Sequence, residues 1–564
     1  GSQPVCSLVC SDKQDVQGSG GPRLAALHGD GSRDTAGLQQ TPGSHFRRTE
    51  QGRGGEQPVN RRASRLGTGA IVGIVAIASS YAVAGATPGF VVAPINGVVV
   101  ILTPSQVIAF AILVLGDLGS KFGFALAVIL AVGLFGGLGL LSEGVAERSL
   151  RGADATLAAV VLTGMVTGGV GSFLTGSFAS GAAIAAGAAV AMAVSRGAVR
   201  ADRGTPRGER RRFVAAVLGT LGFGGFALWA GGDEGVSRAG PTRDEVLGNS
   251  TAGQPVAPIE TIQSRLAEAA ERSLEVPGMP GLVSENANFY EVDINSIDPE
   301  VAVRSWSLRV TGAVRQRIEM DYADLTDMTP EHRFVTLRCV GDPLNGPKMD
   351  NALWTGIPVN TLLDRARPIG EYVMLRAVDG YFEEFPLAAL RGGFLAYGMN
   401  GDLLPHGHGY PVRALVPGHW GEVNVKWIDE IEVLSEPAKG FWEQRGWHGT
   451  GPVNTIAKLW AVNRLDDGRV QVGGHAYAGT RGISAVEVST DGGASWSKAT
   501  LSPPLEGDDV WRQWSYEWDP SQQTPTLVVR AIDGTGTIQP RAEAQPFPSG
   551  ATGWVRQSID VENP

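Results

Sequence analysis

The chain has 564 residues, which is too long for one ordinary domain, and its formal net charge is −10. This acidic balance argues against a nucleic-acid partner, and the second half of the chain has no basic patch interleaved with aromatic residues. With three cysteines in total, a zinc site made of four cysteines is excluded.

The first segment, residues 1–62, is rich in Gly, Ser, Gln and Arg and has no hydrophobic periodicity. Such a composition cannot bury enough apolar surface to offset the entropy of ordering the chain. We therefore expect a disordered N-terminal segment.

Residues 63–235 are predicted to form a helical membrane domain. Between Gly67 and Ser142 the only charged side chains are Asp117 and Lys121. Apolar runs in this region are near the length that crosses a bilayer. They predict five spans, at 67–86, 120–142, 154–172, 177–195 and 213–232.

The apolar stretch from Pro88 to Lys121 is interrupted by Pro94 and Pro104. It predicts an interfacial or re-entrant piece, with Ser105–Leu115 as a short helix near the membrane surface.

Basic residues in short loops set the orientation of a membrane domain. They lie before the first span, between the second and third, and between the fourth and fifth: Arg61, Arg62, Arg65, Arg148, Arg151, Arg196, Arg200, Arg203, Arg207, Arg210, Arg211 and Arg212. The other loops, 87–119 and 172–178, have no Lys or Arg. The pattern predicts a cytoplasmic N-terminus and, with five spans, an extracytoplasmic location for everything after Gly232.

The predicted spans contain no histidine and no paired charges. They offer no ligands for a bis-histidine haem and no polar pathway for protons or ions, so we interpret them as an anchor. Glycines such as Gly164 and Gly168 favour close packing between helices.

A basic segment precedes the fifth predicted span, with the sequence Arg210-Arg211-Arg212-Phe213-Val214. It resembles the twin-arginine signal that directs export of folded proteins. The alternative is that these arginines only fix the topology.

The part of the chain after the membrane domain divides at two changes of pattern. Residues 236–282 are polar and predict a tether with one short helix at Ile259–Leu274. Residues 283–450 alternate like strands and include a short helical pattern at Val359–Arg365, which is typical of an α+β domain. In residues 451–564 the alternating strands predict an immunoglobulin-like β-sandwich.

Cys339 is the only cysteine outside the first ten residues. The apolar run Phe334–Leu337 predicts a strand that ends at this thiol. A lone thiol leaves three roles open, which are a nucleophile, a metal ligand and a buried small hydrophobe.

Segments distributed from Asn286 to Val561 resemble the sulfite oxidase family of molybdopterin enzymes. They include Asn288-Phe289-Tyr290, Thr336-Leu337-Arg338-Cys339-Val340, Asn351-Ala352-Leu353-Trp354-Thr355-Gly356-Ile357-Pro358, Met399-Asn400-Gly401-Asp402-Leu403-Leu404-Pro405, His408-Gly409-Tyr410-Pro411-Val412-Arg413, Val416-Pro417-Gly418, Val425-Lys426-Trp427 and Phe441-Trp442. The later part, around Asp491-Gly492-Gly493 and Trp496, resembles the immunoglobulin-like dimerisation domain of that family.

The resemblance implies a membrane-anchored molybdenum oxidoreductase that performs oxygen-atom transfer on a small substrate, a sulfite-like anion or an S- or N-oxide. It implies a molybdenum-molybdopterin cofactor, with Cys339 as the metal ligand. The implied cofactor-binding residues are Asn288, Tyr290, His408, Arg413, Asn424, Val425 and Lys426, of which Asn424 and Val425 contribute backbone donors. A soft thiolate suits molybdenum, and cationic side chains suit a phosphate-bearing pterin.

The implied substrate pocket includes Arg338, which is expected to hold an anionic oxygen substrate. Trp447 stands where the animal and plant sulfite oxidases carry a tyrosine, which removes a phenolic proton donor. The chain has no His-Pro-Gly-Gly haem segment, so no haem is expected and a separate electron carrier is required. The resemblance also implies a homodimer formed through residues 451–564.

Two other functions are compatible with the residues alone. One is a membrane-tethered immunoglobulin-like binding protein in which Cys339 is merely buried. The other is a hydrolase with Cys339 as nucleophile and His332 or His408 as base.

Overall fold

The structure, a computed structural model, describes residues 61–84, 90–104, 107, 117–150, 153–200, 259–520 and 526–559. The predicted disordered segment 1–62 lies almost wholly outside these ranges, and so do the fifth predicted span and the arginine-rich segment before it.

The membrane part consists of a helical bundle. Its helices are α1 (Arg61–Ala84), α2 (Val92–Leu102), α3 (Asp117–Ser149), α4 (Ala153–Thr175) and α5 (Phe178–Arg200). Within the described residues, four of these, all except α2, are long and apolar enough to cross a membrane. They coincide with the first four predicted spans, whereas the span at 213–232 stays a prediction.

The connecting stretch contains the helix α2, which was not predicted. The helix predicted at Ser105–Leu115 lies, except for Val107, outside the described residues and stays a prediction. Pro94 falls in the first turn of α2, where the missing N–H of a proline has no intrahelical partner to lose.

Small residues allow the membrane helices to approach closely. A Cβ added at Gly73 would overlap the backbone of Val132 on α3, and one at Gly168 would overlap Ala185 on α5. At one end of the bundle Arg65 pairs with Glu147 at 2.7 Å. Arg196 pairs with Glu143 at 3.0 Å at the same end, so the basic ends of α1 and α5 meet beside α3.

Residues 307–434 form two sheets with short helices between the strands. The strands are β1 (Ser307–Gly312), β2 (Ile318–Asp321), β3 (Glu331–Arg338), β4 (Met349–Pro358), β5 (Tyr372–Ala377), β6 (Phe382–Pro386), β7 (Phe394–Met399), β8 (Asp402–Leu403), β9 (Arg413–Leu415) and β10 (Ile428–Leu434). The helices between these strands are α7 (Tyr322–Thr326), α8 (Asn360–Ala366) and α9 (Leu387–Leu390). An earlier helix, α6 (Ile259–Glu271), precedes both sheets.

The first sheet has the order β2-β1-β10-β5-β6, and β1 and β10 are its parallel pair. The second has the order β3-β4-β7-β8, with β9 paired to β7. One mixed sheet and one antiparallel sheet, with short helices between their strands, agree with the predicted α+β class. The helix predicted at Val359–Arg365 is α8, shifted by one residue.

The C-terminal strands form two antiparallel sheets. They are β11 (Ile456–Ala457), β12 (Ala461–Arg464), β13 (Val470–Tyr477), β14 (Ile483–Ser489), β15 (Ser497–Lys498), β16 (Thr500–Leu501), β17 (Arg512–Trp518), β18 (Thr526–Asp533) and β19 (Val555–Ser558). The orders are β11-β13-β17-β16, with β12 on β13, and β15-β14-β18-β19. Side chains of both sheets share one hydrophobic cluster, as in a sandwich, whereas the immunoglobulin-like assignment stays a prediction.

That cluster extends well beyond the C-terminal sheets. It also contains Phe334 and Leu353 from β3 and β4, and Trp420 and Trp447 from the loops around Cys339. A buried hydrogen bond from Trp511 N to Thr336 Oγ1, 2.9 Å long, links the same regions. The two parts of the chain therefore pack as one body.

The end of the predicted tether belongs to this body. In α6, Ile262 and Ala269 are buried in the shared cluster, and so is Leu282 in the segment that follows. The Leu274 N–H donates to Gln513 Oε1 at 2.7 Å. Residues 259–282 are therefore packed against the C-terminal sheets and do not hang as a free linker.

Candidate active site

Cys339 directly follows β3 and begins the turn between β3 and β4, as the apolar run before it predicts. Its N–H donates to Lys348 O at 3.1 Å, and its carbonyl accepts from Asp342 N at 3.1 Å. These bonds fix the turn between β3 and β4 and present the thiol to a cavity that is open to solvent.

The cavity collects most of the residues that the sequence assigns to a site. Eight of the ten line it: Cys339, Tyr290, His408, Arg413, Asn424, Val425, Lys426 and Trp447. They come from chain segments more than 150 residues apart, from Tyr290 to Trp447. The structure does not bring Arg338 or Asn288 into the cavity.

Arg338 points away from the cavity because neighbouring side chains of an extended strand face opposite sides. It is fully buried, and its Nη2 donates to Ala551 O at 3.3 Å. Its guanidinium also lies 4.8 Å from the ring centre of Trp420. The expectation that Arg338 holds an anionic substrate is therefore not supported by its position.

Asn288 is exposed, and its Nδ2 donates to Glu285 Oε2 at 3.1 Å. The nearby Asn286 contacts a cavity residue instead, since its carbonyl accepts from His408 Nε2 at 2.8 Å. Asn286 also accepts from Asn400 Nδ2 at 2.8 Å through its side chain. The segment before Tyr290 thus supports the cavity wall without Asn288 reaching it.

Two cations line the cavity, and both are held by protein groups. Arg413 donates from Nη1 to His408 O and from Nη2 to Asn424 O, each at 3.1 Å. Its Nε is buried without a partner among the described residues. Lys426 forms an ion pair with Asp293 and donates to Gly407 O at 2.8 Å.

His408 is buried and neutral at physiological pH. Burial is the main cause that lowers the pKa of its ring to about 4; the positive charges of Arg413 and Lys426 act in the same direction, and the hydrogen bond to Asn286 opposes them. Because Nε2 donates to the Asn286 carbonyl, the other ring nitrogen is left as an acceptor.

Backbone groups complete this side of the cavity. The side chain of Asn424 is used inside the protein, since it donates to Trp420 O and accepts from Val416 N. Its N–H donates to Gly421 O at 3.1 Å. The cavity-lining Val425 N–H has no such partner in the described structure, so of the two expected backbone donors only Val425 has a free group.

Tyr290 lies beside Cys339. A side chain at Gly421 would come within 2.7 Å of Tyr290 Oη and 3.6 Å of Cys339 Cα, so this glycine permits the close approach. Burial raises the pKa of the Tyr290 phenol well above its usual value, and the Cys339 sulfur adds to the rise. The Tyr290 hydroxyl therefore stays protonated next to the thiol.

Trp447 closes another wall of the cavity. Its ring packs edge-on against Trp442 with centres 6.2 Å apart, and against Phe547 at 5.2 Å. Gly449, two residues later, packs against both Glu422 and Val340, so the loop of Trp447 covers the residue that follows Cys339.

Several cavity residues were missed by the sequence analysis: Glu291, Asp293, Asp379, Tyr381, Glu422, Trp427 and Trp442. Glu422 sits between two segments that carry the resemblance, Val416-Pro417-Gly418 and Val425-Lys426-Trp427. No motif or periodicity marks this residue, so the sequence carried no signal that could have identified it.

The thiol of Cys339 has no catalytic base bonded to it. Burial raises its pKa to about 11, against an opposing effect of Lys348. Among the described residues no histidine donates to or accepts from its sulfur; His332 bonds Thr355 Oγ1 at 2.8 Å, and His408 bonds Asn286. The arrangement of a cysteine hydrolase is therefore not formed here.

Behind Glu422, the carboxyl group of Glu383 makes the stability of the protein depend on pH. Burial raises its pKa from 4.5 to about 8, so its stabilising contribution is complete below pH 4.5 and lost as the pH rises through 8. We expect Glu383→Gln to reduce the fall of melting temperature between about pH 5 and pH 9, removing roughly 4 kcal/mol of pH dependence.

Thermal unfolding at several pH values measures this effect. Exposed Glu436→Gln is the matched control, whose curve should follow the wild type. Parallel curves for wild type and Glu383→Gln would show that Glu383 ionises normally in the folded protein.

Two family models match the part of the chain that forms the cavity and the C-terminal sheets. The oxidoreductase molybdopterin binding domain matches residues 294–442. The Mo-co oxidoreductase dimerisation domain matches residues 454–560. The cavity lies largely within the first match, and the boundary between the two matches falls near the predicted one at 450.

Relatives with known names match the same region at low identity. Mitochondrial sulfite oxidase of Rattus norvegicus is 27% identical over 320 residues, which cover 46% of this chain and 57% of the rat enzyme. Nitrate reductase [NADPH] of Fusarium oxysporum is 26% identical over 321 residues, covering 42% of this chain and 35% of that enzyme. The chain thus aligns with about half of the rat enzyme's length and a third of the fungal one.

One solved structure is similar to part of this chain. The sulfane dehydrogenase SoxCD from Paracoccus pantotrophus is 20% identical, with a TM-score of 0.44. The superposition covers 57% of this chain and 93% of the other.

Proposed function

Because the chain belongs to the sulfite oxidase family of molybdenum-dependent oxidoreductases, we propose that it transfers an oxygen atom to or from a small substrate in the cavity of Cys339. The observation that carries the proposal is the assembly of a lone thiol, two cations and a free backbone N–H around one cavity. A binding protein without catalysis does not account for this assembly.

The residues present fit a molybdopterin cofactor. Within the described ranges no group of three or more His, Cys, Asp and Glu side chains could hold a metal ion, so a metal at Cys339 needs ligands from a cofactor. The buried Nε of Arg413 and the Val425 N–H are unused donors suited to the oxygens of a pterin phosphate. Bound there, the cofactor supplies two-electron oxygen-atom transfer.

Each residue then has a defined role toward the cofactor. Cys339 provides the protein thiolate to the metal. Arg413, Lys426 and Val425 bind the pterin and its phosphate, and neutral His408 offers an acceptor to a pterin N–H. Tyr290 holds a protonated hydroxyl beside the thiolate, where it stabilises negative charge.

Metal and pterin analysis of the purified protein tests the proposal. We expect about one molybdenum and one pterin per chain, and turnover of a small oxide or oxyanion with a dye as electron donor or acceptor. Protein that is folded but free of molybdenum after expression with molybdate would contradict the proposal.

Replacing Arg413 with alanine should lower cofactor occupancy. The change removes two charge-assisted hydrogen bonds that fix His408 and Asn424, each worth on the order of 1.5–3 kcal/mol. It also removes the unused Nε donor. Molybdenum content per chain is the measurement, and the partly exposed Arg309→Ala is the control. Equal molybdenum in Arg413→Ala and wild type would exclude this role.

The side of the membrane is part of the proposal. Asn96 on α2 donates to Ser296 Oγ at 3.3 Å, so the cofactor-binding part touches the bundle at α2. Phe90 and Tyr81 pack there, at the end of α1 opposite to Arg65. If the basic end is cytoplasmic, this contact supports an extracytoplasmic catalytic domain.

Export of the folded domain is expected to use the twin-arginine route. A pterin cofactor made in the cytoplasm and buried in the fold must cross the membrane inside a folded protein. Changing Arg210, Arg211 and Arg212 to lysine keeps the charge and removes the paired guanidinium signal. We expect this variant to lose external, protease-accessible, molybdenum-loaded protein. Normal export of the lysine variant would show that these arginines act only through their charge, which sets the topology.

The remaining partners follow from the same assignment. The residues of the dimerisation-domain match support a homodimer. Electrons are proposed to pass to or from a separate carrier. The relatives act on sulfite and nitrate by name, both anions, whereas this chain directs Arg338 away from its cavity.

A further inference from the structure

We propose that Glu422 is the acid of this cavity, which donates its proton to the oxygen of a neutral S-oxide or N-oxide substrate. The inference rests on the proposed function and names the substrate class for the same site. It starts from a carboxyl group that is 8% exposed, lines the cavity and lacks a well-formed hydrogen bond at either oxygen within the described structure.

A buried carboxylate without hydrogen-bond partners is strongly unfavourable, so the group is held in its neutral form. Burial raises the pKa of Glu422 well above its usual value. The nearby carboxyl groups of Glu383 and Glu443 add to the rise, and the Gly449 N–H opposes it only in part. A neutral carboxylic acid with unused oxygens is both a hydrogen-bond donor and a proton source.

The surroundings place Glu422 in the substrate part of the cavity. Gly449 packs against its carboxyl group and against Val340, the residue after Cys339. The loop of Gly449 also carries Trp447, which stands where the animal and plant sulfite oxidases carry a tyrosine. Glu422 therefore restores a proton donor on the wall from which tyrosine is missing.

Hydrogen bonds of neighbouring residues fix the position of Glu422. Tyr381 Oη lies 2.8 Å from the Glu422 carbonyl and 3.1 Å from Glu383 Oε2, which fixes the turn of Glu422 against the second carboxyl group. Trp442 N donates to the same Glu383 oxygen at 3.3 Å. Glu383 itself does not line the cavity.

Charge also favours a neutral substrate over an anion. Arg413 donates both Nη groups to carbonyls, and Lys426 is paired with Asp293. Arg338 is buried outside the cavity, and neutral His408 offers no positive charge. On the wall of Glu422 an anion would meet a carboxyl group, whereas Arg413 and Lys426 are assigned to the pterin and its phosphate, so the desolvation of an anionic substrate is unfavourable.

The reduction of an oxide is balanced in atoms and electrons when Glu422 supplies a proton. The S–O or N–O bond breaks, the oxygen leaves as water, and the reaction consumes two protons and two electrons. Glu422 gives one proton to the departing oxygen and the solvent gives the other. The electrons come from a reduced external carrier, for which a reduced viologen dye substitutes in the assay.

The test compares wild-type holoenzyme with Glu422→Gln, Glu422→Asp and the control Glu384→Gln, a nearby buried carboxyl group outside the cavity. Substrates are dimethyl sulfoxide and trimethylamine N-oxide with reduced dye, and sulfite with an oxidising dye. Binding of the unreactive neutral analogue dimethyl sulfone is followed by tryptophan fluorescence, since Trp442 and Trp447 line the cavity. Molybdenum is measured in every sample.

For Glu422→Gln we expect kcat on the oxides to fall by roughly 10²–10⁴-fold, with KM and sulfone affinity nearly unchanged, because the amide donates a hydrogen bond but no proton. Glu422→Asp should recover part of kcat, and Glu384→Gln should behave as wild type. Unchanged kcat in Glu422→Gln at full molybdenum content would overturn the inference, and so would faster turnover of sulfite than of either oxide. Absence of molybdenum from the wild type would instead overturn the proposed function.

Discussion

Replacing Cys339 with serine is expected to abolish turnover while the protein stays folded. Serine oxygen is a harder and more basic ligand than a thiolate, so the metal loses the donor that suits it. Activity should fall below about 1% of wild type, as expected for loss of a direct metal ligand when even its supporting residues contribute 10–100-fold. The measurement is turnover per molybdenum, alongside the melting temperature.

Folding should survive because the turn of Cys339 is held by backbone groups. The bonds to Lys348 O and from Asp342 N do not involve the sulfur. A variant with Cys6 and Cys10 both changed to serine is the matched control and should keep full activity. Turnover of Cys339→Ser close to that of this control would remove the metal-ligand assignment.

Replacing Asp342 with alanine is expected to cost about 3–5 kcal/mol of stability, the usual effect of breaking a buried ion pair. The carboxylate is fully buried and pairs with Lys458, while Arg338 Nε lies 3.6 Å away. It also accepts from Lys348 N at 2.9 Å. Its removal leaves two buried cations without a counter-charge.

Burial lowers the pKa of Lys458 to about 8 even with Asp342 present, which shows how unfavourable the site is for a cation. Thermal or denaturant unfolding measures the loss. Asp467→Ala, which breaks an exposed pair with Arg469, is the control and should leave the melting temperature nearly unchanged. Equal effects of the two substitutions would mean that the buried network adds no stability.

Local patterns predicted the elements that hold the site better than the directions of its side chains. The apolar run before Cys339 and the helical pattern of α8 appear where expected, because both depend on neighbouring residues alone. Arg338 was expected in the cavity, although side chains alternate along a strand and Arg338 must therefore face the side opposite to Cys339. The family resemblance indicated the segment that contains Asn288. It did not show that Asn286, and not Asn288, contacts a cavity residue.

Glu422 could not have been placed from the sequence because its environment is made at a distance. Tyr381 and Glu383 act on it from the start of β6, and Gly449 from the loop after Trp442. Which of the carboxyl groups lacks a partner depends on these contacts, and no periodicity or motif encodes them.

The hydrophobic core shared by β3, β4, the loops around Cys339 and the C-terminal sheets limits how this protein can be divided. A cut between 442 and 454, where the family matches separate, would leave Phe334, Leu353 and Trp420 facing water on one fragment. The fragment would also lose the bond that joins Thr336 to Trp511. The dimerisation region is therefore not a detachable module. Limited proteolysis should release the membrane helices well before it separates residues 283–450 from the rest.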